Sequence, residues 1–389
     1  MKTSPSNIRK DFLVFGSPLI EEAAIAEVVA TLRSGWLGTG PKVKKFEDMV
    51  RDYKGSKHAI AVSSCTAALH LSLAALELKP GDEVITTPMT FCATLNAILH
   101  AGAKPVLVDC ERATQNIDAA KIASMITKKT RAILPVHFAG RPCDMDALGT
   151  LARKHKLAMV EDCAHAIETE YRGKKAGTFG EFGTLSFYVT KNITTAEGGM
   201  VLTDDAALAD KIKILALHGM SKDAWMRFSD EGYKHYEVLY AGFKYNMTDI
   251  QASIGLHQMP NVDRWWRRRQ EVWKRYDEAF AGLPCFTPAP PEADTRHGYH
   301  LYTLLIDSDK LGKTRDEVLQ ELNRRNIGTG VHYLAVHLQP FYRKLLGHKP
   351  GDFPNAEFIG ERTLSLPLSA KLSDEDVSDV ISAVRAVLQ

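Results

Sequence analysis

The sequence predicts an α/β fold, a mostly parallel sheet sandwiched by helices, followed by a smaller C-terminal α+β unit. Three observations predict it. Between residues 58 and 161, short apolar runs alternate with segments of helical period, the spacing of strand–helix–strand units. The strand runs are continuously apolar, as strands covered on both faces are. Finally, Pro284, Pro288, Pro290 and Pro291 mark a change of character, after which a new strand and helix pattern begins. The expected division is a large domain over residues 1–257 and a small one over 258–389.

Taken in order, residues 20–33 place Ile20, Ala24, Ile25, Val28, Val29 and Leu32 at helical spacing and stop near Ser34-Gly35. The stretch Gly35-Trp36-Leu37-Gly38-Thr39-Gly40-Pro41-Lys42 is turn-rich, either a plain connector or a loop able to approach a ligand closely. A helix over 43–53 and a strand over 58–63 lead into Ser64-Cys65-Thr66-Ala67 and a run of strong helix formers. Hydroxyls at such a helix start serve as an N-cap, or the free N–H groups there receive an anion. Strands over 83–87, 105–109, 132–136 and 158–161 then alternate with helices over 91–100, 119–126 and 145–155. Ligands of such sheets sit off the carboxyl ends of the strands. That rule selects Thr66, the Pro88-Met89-Thr90-Phe91 turn, His137, and the Asp162-Cys163-Ala164-His165 turn. No Gly-x-Gly-x-x-Gly follows the first strand, and Gly177-Thr178-Phe179-Gly180 lacks a Walker lysine, so neither a dinucleotide fold nor a P-loop is indicated.

Residues 184–203 read as strand (185–189), loop and strand (200–203). The loop holds Lys191, with Ser186 upstream, Thr194 and Thr195 downstream, and a Gly198-Gly199 pair that permits close backbone approach. A lysine fixed between two buried strands can form a Schiff base with an aldehyde. Residues 204–218 read as a helix, a polar loop passes Lys222, Trp225 and Arg227, and a long helical pattern runs to about 281 with a break at Pro260. Within it, Arg264, Arg267, Arg268 and Arg269 around Trp265 and Trp266 read as a solvated or subunit-facing surface. A strand over 300–307 and helices over 314–326 and 373–388 complete the chain.

The 389 residues are 45% hydrophobic and 25% charged with a net charge of +2, which suits a soluble protein with a sizeable core and gives no nucleic-acid footprint. The six cysteines are scattered without a Cys-x-x-Cys pair, as reduced thiols in the cytoplasm are; no metal is expected. The apolar run after Lys2, Arg9 and Lys10 is too short for a signal peptide, and no stretch reaches the roughly 20 apolar residues of a membrane span.

At the strand ends one constellation forms: an anion site at Thr66 and Ala67, an aromatic at Phe91, an acid at Asp162, a hydroxyl at Ser186 and an amine at Lys191. Pyridoxal phosphate needs those parts: helix-terminal N–H groups for its phosphate, an aromatic face for its ring, a carboxylate for its pyridine nitrogen and a lysine for its aldehyde.

The chain also resembles the DegT/StrS sugar aminotransferases of pyridoxal-phosphate fold type I, whose sheet is seven-stranded. The resemblance rests on Ser34-Gly-Trp-Leu-Gly-Thr-Gly-Pro, Ser63-Ser-Cys-Thr-Ala-Ala-Leu-His, Glu161-Asp-Cys-Ala-His-Ala, Ser186-Phe-Tyr-Val-Thr-Lys-Asn-Ile-Thr-Thr-Ala-Glu-Gly-Gly, His218-Gly-Met and Tyr245-Asn-Met-Thr-Asp-Ile-Gln-Ala. It implies Lys191 as the Schiff-base lysine, Asp162 as the pyridine partner, His165 near the phenolic oxygen and Phe91 as the stacking ring. It further implies Thr66, Ala67 and Ser186 as phosphate ligands, joined by Asn246 from the neighbouring subunit, hence a homodimer with shared active sites. Phe91 stands where some members have tryptophan, and Cys65 where glycine or alanine is usual. Within the family, Gly328-Thr-Gly-Val-His332-Tyr and the Trp225–Arg227 region look closest to enzymes acting on 4-keto nucleotide sugars, including the UDP-4-amino-4-deoxy-L-arabinose type. Tyr188 and His332 are then expected near the sugar and Arg227 near the pyrophosphate, with Trp36 and Thr39 as further substrate-binding residues, glutamate as donor and 2-oxoglutarate as product. The rival readings are a sugar dehydratase, in which the family replaces this lysine by histidine, and a cofactor-binding regulator without turnover.

Overall fold

The computed structural model describes residues 8–221 and 236–389. The first half alternates as expected: α1 (Glu22–Ser34), α2 (Pro41–Lys54), β1 (His58–Val62), α3 (Cys65–Ala75), β2 (Glu83–Thr86), α4 (Cys92–His100), β3 (Lys104–Leu107), α5 (Ala119–Met125) and β4 (Thr130–Ile133). Next come α6 (Met145–His155), β5 (Ala158–Cys163), a short hairpin of β6 (Glu170–Tyr171) and β7 (Lys174–Lys175), β8 (Phe182–Ser186), β9 (Gly199–Thr203) and α7 (Ala206–Ala216). Two consecutive helices follow, α8 (Asp249–Gln258) and α9 (Val262–Phe280), joined by a single 3-10 turn at Pro260.

The large sheet has seven strands in the order β1-β9-β8-β5-β4-β2-β3, and in it only β9 runs against the others. Its register brings together residues far apart in sequence: Asp162 lies beside Thr184, and Ser186 lies across from Gly199. Helix α3 is apolar all round and almost wholly buried against this sheet, with Leu69, Leu71 and Leu73 packed on Val62, Val160 and Val201. Ser64 caps it through its side chain. Gly199 allows the start of β9 to press on that helix start, since a Cβ there would lie 2.3 Å from Ser64 C and 2.6 Å from Cys65 N.

The last third supplies β10 (Cys285–Phe286), β11 (Thr295–Arg296), β12 (Tyr302–Ile306), α10 (Ser308–Leu311), α11 (Arg315–Asn323), α12 (Pro340–Leu346), α13 (Pro354–Arg362), β13 (Thr363–Leu366) and α14 (Asp374–Leu388). Strands β10, β12 and β13 form an antiparallel sheet, and α9, α11 and α14 share a core with it around Tyr276, Tyr302 and Val380.

Two sequence readings are corrected. The strand expected over 185–189 lies at Phe182–Ser186, because Gly183 packs directly over Gly177 and carries the strand back, leaving residues 187–189 to enter the loop. The Arg/Trp cluster of α9 is not one surface. Arg264 and Arg268 do pair at the surface with Glu21 and Asp374, but Trp265 and Arg269 point inward, and Arg269 forms a buried ion pair with Glu168. Among the described residues no helix is long and apolar enough to cross a membrane.

Candidate active site

A cavity of about 340 Å3 lies at the carboxyl ends of the strands, lined by Ser64, Cys65 and Thr66 after β1, Phe91 and Thr94 after β2, Asp162 and His165 at the end of β5, Ser186 ending β8, and Lys191. A more open groove of about 870 Å3 lies elsewhere, rimmed by Glu111, Asp118, Asp144, Asp146 and Glu292, whose carboxylates would repel a phosphate.

At one end of the smaller cavity stands the N-terminus of α3. The N–H groups of Cys65 and Thr66 have no acceptor among the described residues, whereas that of Ala67 donates to Ser64 Oγ at 3.1 Å. Ala67 therefore does not present a free donor in this arrangement, and it does not line the cavity. Ser186 and Thr66 do line it.

At the centre lies Asp162, buried, with Oδ1 accepting from Ala164 N at 3.1 Å and Oδ2 from the Thr94 hydroxyl at 2.9 Å, which is itself 2.7 Å from Thr90 Oγ1. Burial pushes the carboxyl above its ordinary value, against the pull of those two donors and of Lys191. His165 Nδ1 accepts from Ala139 N at 3.2 Å, which places the ring proton on Nε2, 3.3 Å from the Tyr333 hydroxyl. Burial, and then the neighbouring Lys191 and His300, hold His165 well below the usual histidine range, so the ring is neutral. Phe91, the N-cap of α4, is 56% exposed, and its ring centre lies 5.7 Å from that of Tyr333.

Lys191 is held from behind. Its N–H donates to Tyr188 O at 2.9 Å. The next residue, Asn192, donates to Glu168 Oε2 at 2.8 Å and Gly298 O at 2.9 Å and meets His300 Nδ1 at 2.9 Å through its own oxygen. Burial lowers the Lys191 amine from an ordinary 10.5 to about 8. The Asp162 carboxylate works against that fall; Cys65, whose thiol burial keeps protonated, adds no charge.

These residues fit pyridoxal phosphate: unpartnered N–H groups and two hydroxyls for the phosphate, Asp162 for the ring nitrogen, the Nε2–H of His165 for the phenolic oxygen, Phe91 for the ring face and Lys191 for the aldehyde. Other expected residues lie elsewhere. Trp36, Thr39 and Asn246 form a hydrogen-bonded patch of their own outside the cavity: Trp36 Nε1 donates to Thr39 O at 3.3 Å and Asn246 Nδ2 to Thr39 Oγ1 at 2.7 Å. Tyr188 lines the cavity; His332 stands behind Tyr333, with Nδ1 2.9 Å from Ser365 Oγ. Arg227 lies outside the described residues. Sequence reasoning missed Thr94 and Tyr333. Thr94 carried a signal, one helical turn after Phe91; Tyr333, beside His332, carried none of its own.

The buried trio His137, Glu161 and Cys163 brings its ligand atoms within 4.8 Å of one another. It is a hydrogen-bonded support for β5: Glu161 accepts from His137 Nε2, Gly177 N, Phe179 N and Gly180 N at 2.7–3.1 Å, and burial keeps the Cys163 thiol protonated.

Comparison with known proteins gives the family. The sequence profile of the DegT/DnrJ/EryC1/StrS aminotransferase family matches residues 18–385. The chain is 49% identical over 382 residues to the spore coat polysaccharide biosynthesis protein SpsC of Bacillus subtilis, covering 98% of each. Among solved structures it is similar to Spr1654 of Streptococcus pneumoniae, assigned as a sugar aminotransferase. The PMP form of Spr1654 superposes with a TM-score of 0.90 at 36% identity over 96% of this chain and 98% of that one, and its PLP form with 0.89 at 35% over 97% and 100%. It is likewise similar to Helicobacter pylori PseC, an aminotransferase involved in the biosynthesis of pseudoaminic acid, with a TM-score of 0.90 at 31% identity over 97% and 99% of the two chains. With residues that fit the cofactor gathered at the strand ends and the family matched along nearly the whole chain, this protein belongs to the DegT/DnrJ/EryC1/StrS family and is an aminotransferase that uses pyridoxal phosphate.

Proposed function

We propose that the enzyme moves an amino group from glutamate to a keto carbon, C4, of a nucleotide-linked sugar, with Lys191 as both cofactor anchor and catalytic base. The observation that carries the reading is the amine of Lys191, lowered to about 8 by burial, in one cavity with Asp162 and His165. A base working near neutral pH needs such a value. The cofactor, when bound, supplies an aldehyde that takes up the amine and a protonated ring that draws electrons from the carbon losing its proton. Around it, Asp162 keeps the ring nitrogen protonated, the neutral His165 donates from Nε2 to the phenolic oxygen, and Thr66 and Ser186 hold the phosphate. Lys191, buried and losing its own proton near pH 8, would hold the cofactor's aldehyde and serve as the base that takes and returns the proton in both halves of a ping-pong cycle. Tyr188, exposed where it lines the cavity, faces the sugar, with His332, behind Tyr333, as a further candidate for the sugar and Arg227 as the candidate for the pyrophosphate.

The sugar substrate draws support from SpsC and PseC, both concerned with building carbohydrate. Assembly as a homodimer draws support from the Trp36–Thr39–Asn246 patch, which lies outside its own chain's cavity, and from α1, whose Ile25, Val29 and Leu32 are 37–52% exposed. Asn246 then reaches the phosphate of the neighbouring subunit. The intact lysine argues against the dehydratase reading. The test is a panel of UDP-, dTDP- and GDP-linked keto sugars assayed for glutamate-dependent amination. Amination of a 4-keto sugar is the expected result; amination confined to other amino acceptors would overturn the assignment.

A further inference from the structure

Behind Lys191 lies a second cavity, of about 20 Å3, and among the described residues Lys191 alone lines both it and the active site. Its walls come from the lysine loop (Thr190, Lys191, Asn192), from the N-terminal segment around Ser17, and from Trp265 and Arg269 of α9. Those two side chains are buried, at 4% and 2% exposure, and each has a donor without an acceptor among the described residues: Trp265 Nε1 and Arg269 Nε. Of the other polar side chains nearby, the Thr190 hydroxyl has no partner among the described residues and the rest are engaged. Ser17 accepts from Lys371, Gln258 bonds Thr194 N and Leu19 O, and Asn192 bonds Glu168, Gly298 and His300.

Buried polar groups are almost always partnered, and two N–H groups on residues one helical turn apart, left dry, would both bear their full desolvation penalty. We propose that this cavity binds one water molecule, which accepts from Trp265 Nε1 and Arg269 Nε and, by donating to the Thr190 hydroxyl, straps α9 to the loop carrying Lys191. The room suffices, since a water needs roughly 10–15 Å3 by this measure. The chemistry selects an acceptor: the guanidinium repels a cation. Glu168 already neutralises Arg269, so a halide would be an unbalanced charge in a dry site. The proposal does not depend on the role given to Lys191 in catalysis.

A crystal structure of the holoenzyme tests it. The expected result is one solvent peak within about 2.7–3.2 Å of both nitrogens; a resolved cavity without a peak there overturns the proposal. Crystals grown in bromide should show no anomalous signal at this position; a signal there would make the occupant a halide and overturn the water. Trp265→Phe removes one donor while keeping an aromatic body. If it folds, the peak should weaken, and hydrogen exchange at Thr190 to Asn192 should quicken about tenfold relative to β5, as loss of one hydrogen bond implies. Unchanged exchange in a variant that has lost the peak would overturn the strap. If it does not fold, the holoenzyme peak and the bromide experiment decide the question.

Discussion

Changing the pH across the range 6–9.5 in the apoenzyme titrates the amine proposed as the catalytic base. Lys191 is held at about 8 against an ordinary 10.5, a fall caused by burial. Only the neutral amine attacks an aldehyde. At pH 7 an amine of pKa 8 is neutral in about one molecule in ten and one of pKa 10.5 in about one in three thousand, so burial raises the reactive fraction about 300-fold. Stopped-flow absorbance, following covalent capture of pyridoxal phosphate, should therefore show a rate that climbs about tenfold per pH unit below 8 and levels above it. Asp162→Asn removes the carboxylate that opposes the fall, so the midpoint should move lower still. Lys191→Ala should leave no borohydride-reducible link. A rate still climbing tenfold per unit between pH 8.5 and 9.5 would refute the burial argument, and a reducible link in Lys191→Ala, located by mass spectrometry, would refute the lysine itself.

Thr94→Val deletes the 2.9 Å hydroxyl contact to Asp162, a charge-assisted bond of about 1.5–3 kcal/mol, so kcat should drop about ten- to a hundredfold with little change in cofactor affinity; steady-state turnover within threefold of the parent would deny that contact a role. Mixing Lys191→Ala with Asn246→Ala subunits should restore activity, because a heterodimer gathers both lesions in one site and leaves the other whole; proven heterodimers without recovery would place Asn246 in its own subunit's service or in none. Glu47, whose carboxyl accepts from Ala61 N at 2.9 Å, is pushed up to about 7 by burial. The folded chain thus keeps a proton that the unfolded chain has lost, and stability falls as pH rises from 4.5 to 7 and stays low above it. Glu47→Gln retains the acceptor, so thermal unfolding should show it more stable at pH 8, by at most about 3 kcal/mol, and little changed at pH 4.

What the sequence made legible was local. Alternating apolar runs and helical periods located the first five strands and their helices to within a few residues, and the strand-end rule then picked out Thr66, Phe91, Asp162 and His165. Lys191 stood out because small residues and glycines surround it. What stayed hidden depends on contacts between distant segments. Tyr333 meets His165 across 168 positions, and Arg269 finds Glu168 across 101, so a charge that reads as solvated in its own helix is buried in the fold. Likewise Gly183 looks like a strand breaker until Gly177 is seen to lie on it. Strand Thr363–Leu366 begins directly after α13, with no glycine or proline between them to mark its start.

The order of strands has a consequence for how the molecule is made. Strand β1 joins the sheet only through β9, which enters the chain some 140 residues later, and Gly199 of β9 is what the helix start at Ser64 rests on. Synthesis therefore leaves β1 without its sheet neighbour among the described residues until that strand emerges, and the loop to be closed is long, a slow kind of step. The packing of Gly199 on the helix start at Ser64, one wall of the cavity, forms only with this closure, so capture of pyridoxal phosphate is expected to follow it.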